Sequence, residues 1–319
     1  MRSTCSALAV LFLTSAASAG TYFAIGEVPG GHSTTLLGIN GKNQLVGWYT
    51  GTGTATHGFA ADLGGAFTTF DVGTGFTLAR AINNAGTIVG DFTNQGSGEF
   101  YAFERFADGR TAAIKDGHQV MKEAVLFGLN NQGVFVGTAI VDHDDIAFTG
   151  QKARYAATLD TPLYLPEPHA VNASNVVVGY FYDPGQPGFT DHGFILKDGT
   201  ATQLDFPAAN DHGTRLNGIN DAGIVTGYWL DQHRRYHAFR YDMGTATFTA
   251  LHPPGTPYSQ AWGINEKGLI AMTSALGSFV YCPKARQCPA GSRRGRRRAR
   301  ACGATQSLTS LSMAPPILG

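Results

Sequence analysis

Charged residues are scarce in this chain. They make up 14% of its 319 residues, against roughly 25% in ordinary soluble domains. Helices that pack on one face need Glu, Lys and Gln spaced regularly along the other, and these residues are too thinly scattered here. The composition therefore does not predict a protein built from amphipathic helices.

Long apolar runs are also missing, since nothing in the chain approaches the roughly 18 apolar residues of a membrane-spanning helix. A shorter run, Ala7–Leu13, follows Arg2 and precedes the small residues Ala17-Ser18-Ala19. This order is typical of a cleavable secretion signal. Residues 1–19 are therefore predicted to be a signal peptide cut after Ala19. The mature protein is expected to be secreted or periplasmic, without a transmembrane segment.

Cysteine is limited to four residues, and Cys5 belongs to the predicted signal peptide. Cys282 and Cys288 enclose a short loop that a disulfide could close in an oxidising compartment. Cys302 is then left as an odd thiol. The spacing does not match a zinc site, which needs a second pair of ligands. No metal or cofactor is predicted.

The formal net charge of zero hides an uneven distribution. Positive charge is concentrated near the C-terminus at Arg293, Arg294, Arg296, Arg297, Arg298 and Arg300. Without these six and Arg2, 16 basic residues face 23 acidic ones, so residues 20–290 carry about −7. An acidic body is poorly suited to nucleic acid. Residues 291–319 are expected to be a basic, disordered tail.

Glycine is abundant, at 42 residues, and suits short strands joined by tight turns. A segment of the type Gly-Ile-Asn occurs six times, with 42 to 48 residues from one asparagine to the next. The six asparagines are Asn40, Asn83, Asn130, Asn172, Asn220 and Asn265. A period of about 45 residues is typical of one four-stranded blade of a β-propeller.

Each repeat has the same internal order. Three residues after the asparagine stands a glycine in four repeats, and Asn43 or Asn175 in the other two. Gly and Asn accept positive φ most readily, so this position predicts a tight turn. A second glycine follows four residues later in five repeats, where we expect backbones to approach closely. Met272 replaces it in the sixth.

A phenylalanine follows in all six repeats and is expected to fill the space between blades. The sixth repeat has no fourth strand of its own, whereas Tyr22–Ile25 precedes the first asparagine as fourth strands precede the later ones. The N-terminal strand is therefore predicted to complete the sixth blade. The expected fold is all-β, a six-bladed β-propeller of four-stranded blades over residues 20–290, closed by this strand.

These repeats resemble the bacterial extracellular HAF family, whose repeat combines a Gly-Ile-Asn core with a later His-Ala-Phe. The triplet stands at His237-Ala238-Phe239 and returns as His-Gly-Phe at residues 57–59 and 192–194. The resemblance covers residues 21–281 and implies a secreted or surface protein, with no assigned activity. The third repeat departs from it, with Ile146 at the histidine position and a fourth strand that is hard to place. The sixth is truncated.

Three features of the sequence are candidates for a ligand-binding or metal-binding site. His57, His192 and His237 occupy a position that accepts Tyr, Ile and Gly in other repeats, so they are interpreted as hydrogen-bonding strand residues. The cluster Asp142–Asp145 could hold Ca²⁺ but lacks the rest of a calcium loop, which favours a solvated loop. The loops at residues 180–191 and 231–236 should emerge on one face. Aromatic residues near that blade edge either bind a ligand or pack between blades: Trp48, Tyr49, Tyr180, Tyr182, Tyr228 and Trp229.

No catalytic, cofactor-binding or metal-binding residue is predicted. The leading hypothesis is a non-enzymatic binding or surface-interaction module, expected to be a monomer, with a carbohydrate or protein ligand on the loop face. One alternative is an extracellular hydrolase or lyase with a site in the central funnel. It would need carboxylates or histidines near the axis, and residues 88–90 and 134–136, interpreted as inner strands, offer almost none. Another alternative is a purely structural envelope protein.

Overall fold

The structure, a computed structural model, describes residues 20–53, 55–185, 190–209 and 212–289. Within them, 26 β-strands form six sheets arranged in a ring, and a 3-10 turn spans Ala285–Gln287. The predicted signal peptide and basic tail, with Cys5 and Cys302, lie outside the described residues. No helix in the described part of the chain is both long and apolar enough to span a bilayer.

The chain enters the ring through β1 (Thr21–Ile25) and then forms the blades in sequence order. Blade 1 comprises β2 (His32–Ile39), β3 (Gln44–Thr50), β4 (Thr56–Asp62) and β5 (Phe67–Phe70). Blade 2 comprises β6 (Thr77–Ile82), β7 (Ile88–Thr93), β8 (Phe100–Arg105) and β9 (Thr111–Ala113). A small hairpin, β10 (Lys115–Asp116) and β11 (Gln119–Val120), comes before blade 3.

The remaining blades follow in the same order. Blade 3 comprises β12 (Val125–Leu129), β13 (Val134–Val141), β14 (Asp144–Gln151) and β15 (Arg154–Thr158). Blade 4 comprises β16 (Glu167–Val171), β17 (Val177–Asp183), β18 (Thr190–Lys197) and β19 (Thr200–Gln203). Blade 5 comprises β20 (Thr214–Ile219), β21 (Ile224–Leu230), β22 (Tyr236–Asp242) and β23 (Thr247–Leu251). Blade 6 comprises β24 (Ser259–Ile264), β25 (Ile270–Ser274) and β26 (Gly277–Cys282).

Strand β1 pairs antiparallel with β26 and supplies the fourth strand of blade 6. The predicted six-bladed ring, closed by the N-terminal strand, is therefore confirmed. Cys282 pairs with Thr21 in this register and is bonded to Cys288, 5.9 Å away between Cα atoms, so the expected disulfide ties down the end of the same blade.

Blade 3 differs from the predicted four-stranded pattern. Its sheet has six strands, because the hairpin β10–β11 pairs with the outer strand β15. Lys115 and Arg154 are neighbours there in a parallel register. The hairpin belongs to the connection between blades 2 and 3, which explains why the spacing from Asn83 to Asn130 is long.

The repeated asparagine forms the predicted turn in every blade. At the position three residues later, φ lies between 57° and 83° in all six copies, whether the residue is Gly or Asn. Each asparagine Oδ1 accepts a hydrogen bond of 2.9–3.0 Å from the backbone N–H four residues on. This contact closes the hairpin between the first and second strands of a blade.

The same side chain also joins neighbouring blades, which the sequence did not predict. Each asparagine Nδ2 donates to the main-chain oxygen of the next blade's asparagine, at 2.8–3.3 Å. Asn265 of blade 6 donates to Asn40 of blade 1 at 2.9 Å and completes the circle. We call these six residues the asparagine girdle; each is only 3–6% exposed.

The second glycine of the repeat faces a β-bulge. In each first strand, the residue three before the asparagine interrupts the register with the second strand. A Cβ atom on Gly90 would lie 1.9 Å from the carbonyl oxygen of Leu78, and the four equivalent glycines show the same clash at 1.9–2.0 Å. The predicted close backbone approach is therefore confirmed, and its purpose is to seat the bulge.

The repeated phenylalanine lies directly opposite this glycine. Phe59, Phe103, Phe148, Phe194 and Phe239 are at most 1% exposed, as expected. Phe279 also packs against a cluster shared by blades 5 and 6, but it is only half-buried. Its partner in the register is Met272, a fully buried side chain that takes the place of the glycine. The bulge of blade 6 is correspondingly wider, spanning Ala261 to Ile264.

Candidate binding site at the axial mouth

The first strand of each blade, and not the second, surrounds the axis. The central cavity, about 100 Å³, is lined by these six strands and by the turns that follow them. The interpretation of residues 88–90 and 134–136 as inner strands was therefore wrong, because they belong to the second strands β7 and β13. In an antiparallel hairpin both strands have the same buried pattern, so the sequence does not show which one faces the axis.

The channel is narrow because its strands touch. The residue after each bulge is Gly or Ala, and a Cβ on Gly128 would lie 2.6 Å from the carbonyl oxygen of His169 in the next blade. A cavity of this size holds roughly seven to ten water molecules. An organic ligand would therefore have to sit at an opening of the channel and not within it. We call the end where the first strands begin the mouth, and the end with the asparagine turns the hairpin end.

One side-chain position of the repeat lines the channel near the mouth in all six blades. It is the bulged residue, three before each asparagine, and bulges of this kind redirect a side chain out of the regular alternation. The six bulge residues are Leu37, Arg80, Phe127, His169, Asn217 and Trp262. The backbone around this position is the same in every blade, but the six residues are all of different types. The mouth is therefore lined by six chemically different side chains.

Planar side chains stack along the mouth from blade 2 to blade 5. The guanidinium of Arg80 lies 4.9 Å from the Phe127 ring centre, and that ring stacks on His169 with centroids 4.4 Å apart. His169 contacts Tyr180 at 5.2 Å, and Arg215 covers the Tyr180 ring at 4.0 Å. These contacts hold each plane against the next and fix the shape of the opening.

Blade 6 extends this wall. Arg215 lies opposite Tyr228 in the register of β20 and β21, and the Tyr228 ring is 6.2 Å from that of Trp262. Trp262 donates its indole N–H to Thr273 Oγ1 at 2.9 Å. We call this row of seven planar side chains the stacked arc: Arg80, Phe127, His169, Tyr180, Arg215, Tyr228 and Trp262.

The arginines of the arc are already paired. Arg80 is hydrogen-bonded to the buried Asp91, and Arg215 donates to Asp191 at 2.5 Å. Arg215 also donates to the hydroxyl of Tyr180 at 3.1 Å. Burial raises the pKa values of Tyr180 and Tyr228, the latter to about 12, so both hydroxyls stay protonated at neutral pH.

His169 is neutral at pH 7, because burial lowers the pKa of its imidazole and nearby Arg215 and Arg80 add to the effect. Glu167 lies beside it, with Oε2 3.8 Å from His169 Nε2, too far for a hydrogen bond. Burial alone would raise the pKa of Glu167, but its polar neighbours, among them Tyr180 and Arg215, lower it. The charged groups of this wall are therefore two cations and three anions: Arg80, Arg215, Asp91, Asp191 and Glu167.

Two polar atoms in this wall have no hydrogen-bond partner among the described residues: His169 Nε2 and Asn217 Oδ1. The side chain of His169 is 10% exposed, and Asn217 is 6% exposed. Asn217 donates its Nδ2 to the Ala261 carbonyl at 2.8 Å, which fixes the amide so that Oδ1 is the unpaired atom. A buried polar atom left unpaired costs roughly 1–3 kcal/mol. Both occur at bulge positions in neighbouring blades.

The hairpin end has different contacts. Residues following the girdle link neighbouring blades through side chain and backbone, as when Gly41 N–H donates to Asn84 Oδ1 at 2.7 Å and Asp221 N–H donates to Glu266 Oε2 at 3.0 Å. Burial raises the pKa of Glu266, although the hydrogen bond from Asp221 opposes this. These groups hold blades together.

The three histidines behave as the sequence indicated. His57, His192 and His237 each pair with an aspartate, at 2.7–3.1 Å. Each ring also stacks on the aromatic side chain opposite it: Tyr49, Phe181 and Trp229. The structural interpretation is supported, and these imidazoles do not line the channel.

The cluster Asp142–Asp145 forms a hairpin turn between β13 and β14, with φ of 52° at Asp142 and 75° at His143. Within the described residues, no group of three or more His, Cys, Asp or Glu could hold a metal ion. The loop after β17 is described only in part, since residues 186–189 lie outside the described residues. Asp231 organises the other loop by accepting from His233 and Arg235 backbone N–H groups at 2.8 and 3.0 Å.

The aromatic residues flagged in the sequence divide into two groups. Trp229 stacks at 5.0 Å on Phe206, which lies in the connection from blade 4 to blade 5, and this is packing between neighbouring blades. Tyr180 and Tyr228 are buried and belong to the stacked arc, behind the residues that line the cavity. Sequence reasoning missed Arg80, Phe127, His169, Asn217 and Trp262. The available signal was a position that varied freely inside an otherwise constant Gly-Ile-Asn frame.

No family model and no curated protein matches this chain. A candidate TolB from Agrobacterium tumefaciens matches with a TM-score of 0.51, covering 73% of this chain and 87% of its own, at 13% identity. A candidate gluconolactonase gives a TM-score of 0.50 over 84% of this chain and 97% of its own, at 11% identity. Identities this low show the propeller fold alone. The resemblance to the HAF family stays a prediction.

Proposed function

We propose that this protein is an exported, non-enzymatic binding module that holds its ligand at the axial mouth. The observation that carries the proposal is the bulge ring: one repeated backbone feature places six different side chains around one opening. A purely structural ring has no need of this variety, since the asparagine girdle already holds the blades together.

The size and surroundings of the mouth support a ligand seated across the opening. Half-buried planar surfaces of Phe127 and Trp262 lie at its edge. Three further tyrosines are 38–48% exposed: Tyr164, Tyr236 and Tyr258. Each lies in a connection or strand start at the mouth end of blades 4 to 6. Aromatic rings of this kind are frequent at binding surfaces, because one end is apolar and the other polar.

Export is supported by two independent features. The sequence of residues 1–19 has the order of a secretion signal. The disulfide between Cys282 and Cys288 is of a kind that persists in oxidising compartments and is rare in the cytosol. We therefore place the protein outside the cytoplasm and expect it to act there as a monomer.

One observation favours a second candidate function, an extracellular hydrolase or lyase. His169 is a neutral imidazole with an unpaired Nε2 near a carboxylate, and such an imidazole can accept a proton from a bound substrate. The binding proposal is preferred because Glu167 does not hydrogen-bond His169 and no activated nucleophile stands beside it among the described residues.

The test is a thermal-shift screen of the purified mature chain against neutral and charged oligosaccharides, short peptides and small metabolites. The expected result is a rise in melting temperature with at least one class, because a ligand that binds only the folded state stabilises it. The rise should disappear in a Trp262→Ala variant that retains its fold by circular dichroism. Conversion of the bound compound to product would favour the enzyme, and the absence of any ligand would overturn both.

A further inference from the structure

The charges at the mouth disfavour an anionic ligand. Arg80 and Arg215 are neutralised by Asp91 and Asp191, and the ionised Glu167 adds an unbalanced negative charge. The neutral His169 contributes none. Binding an anion here would require breaking a buried ion pair or overcoming repulsion, both of which are costly. A cation would have to bind Glu167, whose Oε1 already accepts a hydrogen bond from the Tyr182 hydroxyl at 3.2 Å.

The two unpaired atoms demand a ligand that can donate a hydrogen bond. Asn217 Oδ1 is an acceptor only, and a neutral His169 Nε2 accepts or donates according to its tautomer. Both atoms are covered by neighbouring groups, so a ligand reaches them only when the side chains turn toward the channel. Turning breaks the bond from Asn217 Nδ2 to the Ala261 carbonyl, and a sugar hydroxyl that accepts from the amide replaces it. A hydroxyl group, which both donates and accepts, satisfies either one.

The stacked arc supplies the apolar complement. Phe127 and Trp262 stand at bulge positions on opposite sides of His169 and Asn217 in ring order, with the protonated hydroxyls of Tyr180 and Tyr228 nearby. A pyranose ring combines a flat C–H face with hydroxyl groups at its rim. These are the two surfaces that an aromatic wall with isolated polar atoms can contact.

We infer that the mouth binds a neutral carbohydrate, with a hydroxyl at Asn217 Oδ1 and His169 Nε2 and the C–H face of the sugar against Trp262. This inference rests on the proposed binding function and adds the chemical class of its ligand. The arginines act as ordered hydrogen-bond donors held by their aspartates, and not as anion receptors.

The experiment is isothermal titration calorimetry of the full mature chain with a matched panel. The neutral probes are gluco-, manno-, xylo- and N-acetylglucosamine oligosaccharides of one to six units. The charged probes are oligouronates and sugar phosphates of the same lengths, and short peptides form a third set. We expect binding of at least one neutral series, with affinity for its charged counterpart at least tenfold weaker.

Two variants test the assigned contacts. His169→Phe keeps a planar ring between Phe127 and Tyr180 but removes both ring nitrogens, and Trp262→Phe shortens the aromatic surface and removes its N–H. Each should weaken sugar binding at least fivefold. The matched control is Trp229→Phe, the same change at a site that packs on Phe206 and His237 away from the channel. It should leave affinity unchanged.

The outcomes separate the two proposals. Neutral sugars that bind and respond to His169→Phe support both. A charged sugar or a peptide that binds at the mouth, with loss in Trp262→Phe, upholds the binding function and overturns the carbohydrate class. A sugar bound equally by wild type and both mouth variants overturns the assigned site. If none of the three sets binds, the inference fails, and the broader thermal-shift screen decides the proposed function.

Discussion

The two ends of the axial channel are built from the same six strands, yet they differ in kind. At the hairpin end the same asparagine stands in every blade, and its side chain makes the same hydrogen bonds within the turn and to the next blade. At the mouth, only three residues earlier, the six blades carry six different residues. Two of them keep polar atoms unpaired.

The difference shows which positions the fold constrains. A girdle residue must satisfy a turn and a neighbour at once, and asparagine offers an acceptor and donors on one short side chain. A bulge residue is outside the regular pairing, so the backbone accepts any side chain there. The identical asparagines at the hairpin end therefore reflect the needs of folding stability. The different residues at the mouth are what a binding site requires.

The strongest test of the hairpin end is Asn130→Ala. The variant loses the buried side-chain amide of Asn130. Its Oδ1 accepts from the Gln132 and Val134 N–H groups, and its Nδ2 donates to the Asn172 carbonyl. The free energy of unfolding should fall by about 3 kcal/mol, measured by urea denaturation. Asn130→Asp keeps the acceptor and should lose less. A loss below about 1 kcal/mol for the alanine variant would contradict the girdle's role.

The bulge that links the two ends can be tested with Gly137→Ala. A Cβ there would lie 2.0 Å from the Val125 carbonyl oxygen, which is backbone and cannot rotate away. We expect a loss of about 2–3 kcal/mol in the free energy of unfolding, because the strand has to shift. A melting temperature equal to wild type would show that the bulge does not need the glycine.

A milder change at the hairpin end is Gly133→Asn. The residue has φ of 83°, and a Cβ there would make only an ordinary contact with the Gln151 side chain at 3.7 Å. Asparagine already occupies the same turn at Asn43 and Asn175. The expected cost is below about 1 kcal/mol, whereas Gly133→Val should cost more, since a β-branched residue resists positive φ. Equal costs in urea denaturation would mean that backbone conformation does not set the choice of residue.

The smallest effect is expected at the mouth. His169→Phe removes an unpaired buried nitrogen and keeps the stacking, so stability at pH 7.5 should be unchanged or slightly higher. In the unfolded chain, His169 binds a proton below a pH of about 6.5. In the folded protein its pKa is lower, because burial and the charges of Arg215 and Arg80 outweigh the opposing effect of Glu167. Wild type should therefore lose stability relative to the variant as the pH falls from 7.5 to 5.

That pH series compares unfolding free energies of the two proteins in urea, and the other histidines cancel in the difference. A constant difference across this range would mean that His169 titrates in the folded protein as it does in the unfolded chain. A large loss of stability at pH 7.5 would show that the mouth, like the girdle, is constrained by folding.

Much of the fold could be predicted from the sequence because its signals are local. The alternation of Gly with Asn43 and Asn175 depends only on the φ of one residue. The sixth repeat lacks a fourth strand of its own, and Tyr22–Ile25 at the N-terminus supplies it. The exceptions came from which residues the strands bring opposite each other. Phe279 is half-buried because Met272 faces it, and blade 3 gains two strands from a connecting hairpin.

The candidate site could not be predicted in the same way. Arg80 and His169 precede asparagines of the repeat, but nothing local shows that the register breaks there and directs them to the axis. The bulge becomes visible only when the second strand is paired with the first. The stacked arc joins residues of five blades, and most of its contacts lie between segments tens of residues apart.

The sequence by itself determined the number of blades, the turn residues and the closing strand, because each follows from backbone conformation or from counting strands. Only the tertiary structure decided which strand faces the axis, that asparagine side chains join the blades, and that six unlike residues meet at the mouth. Those features depend on hydrogen bonds and contacts across blades, which form only when the ring closes.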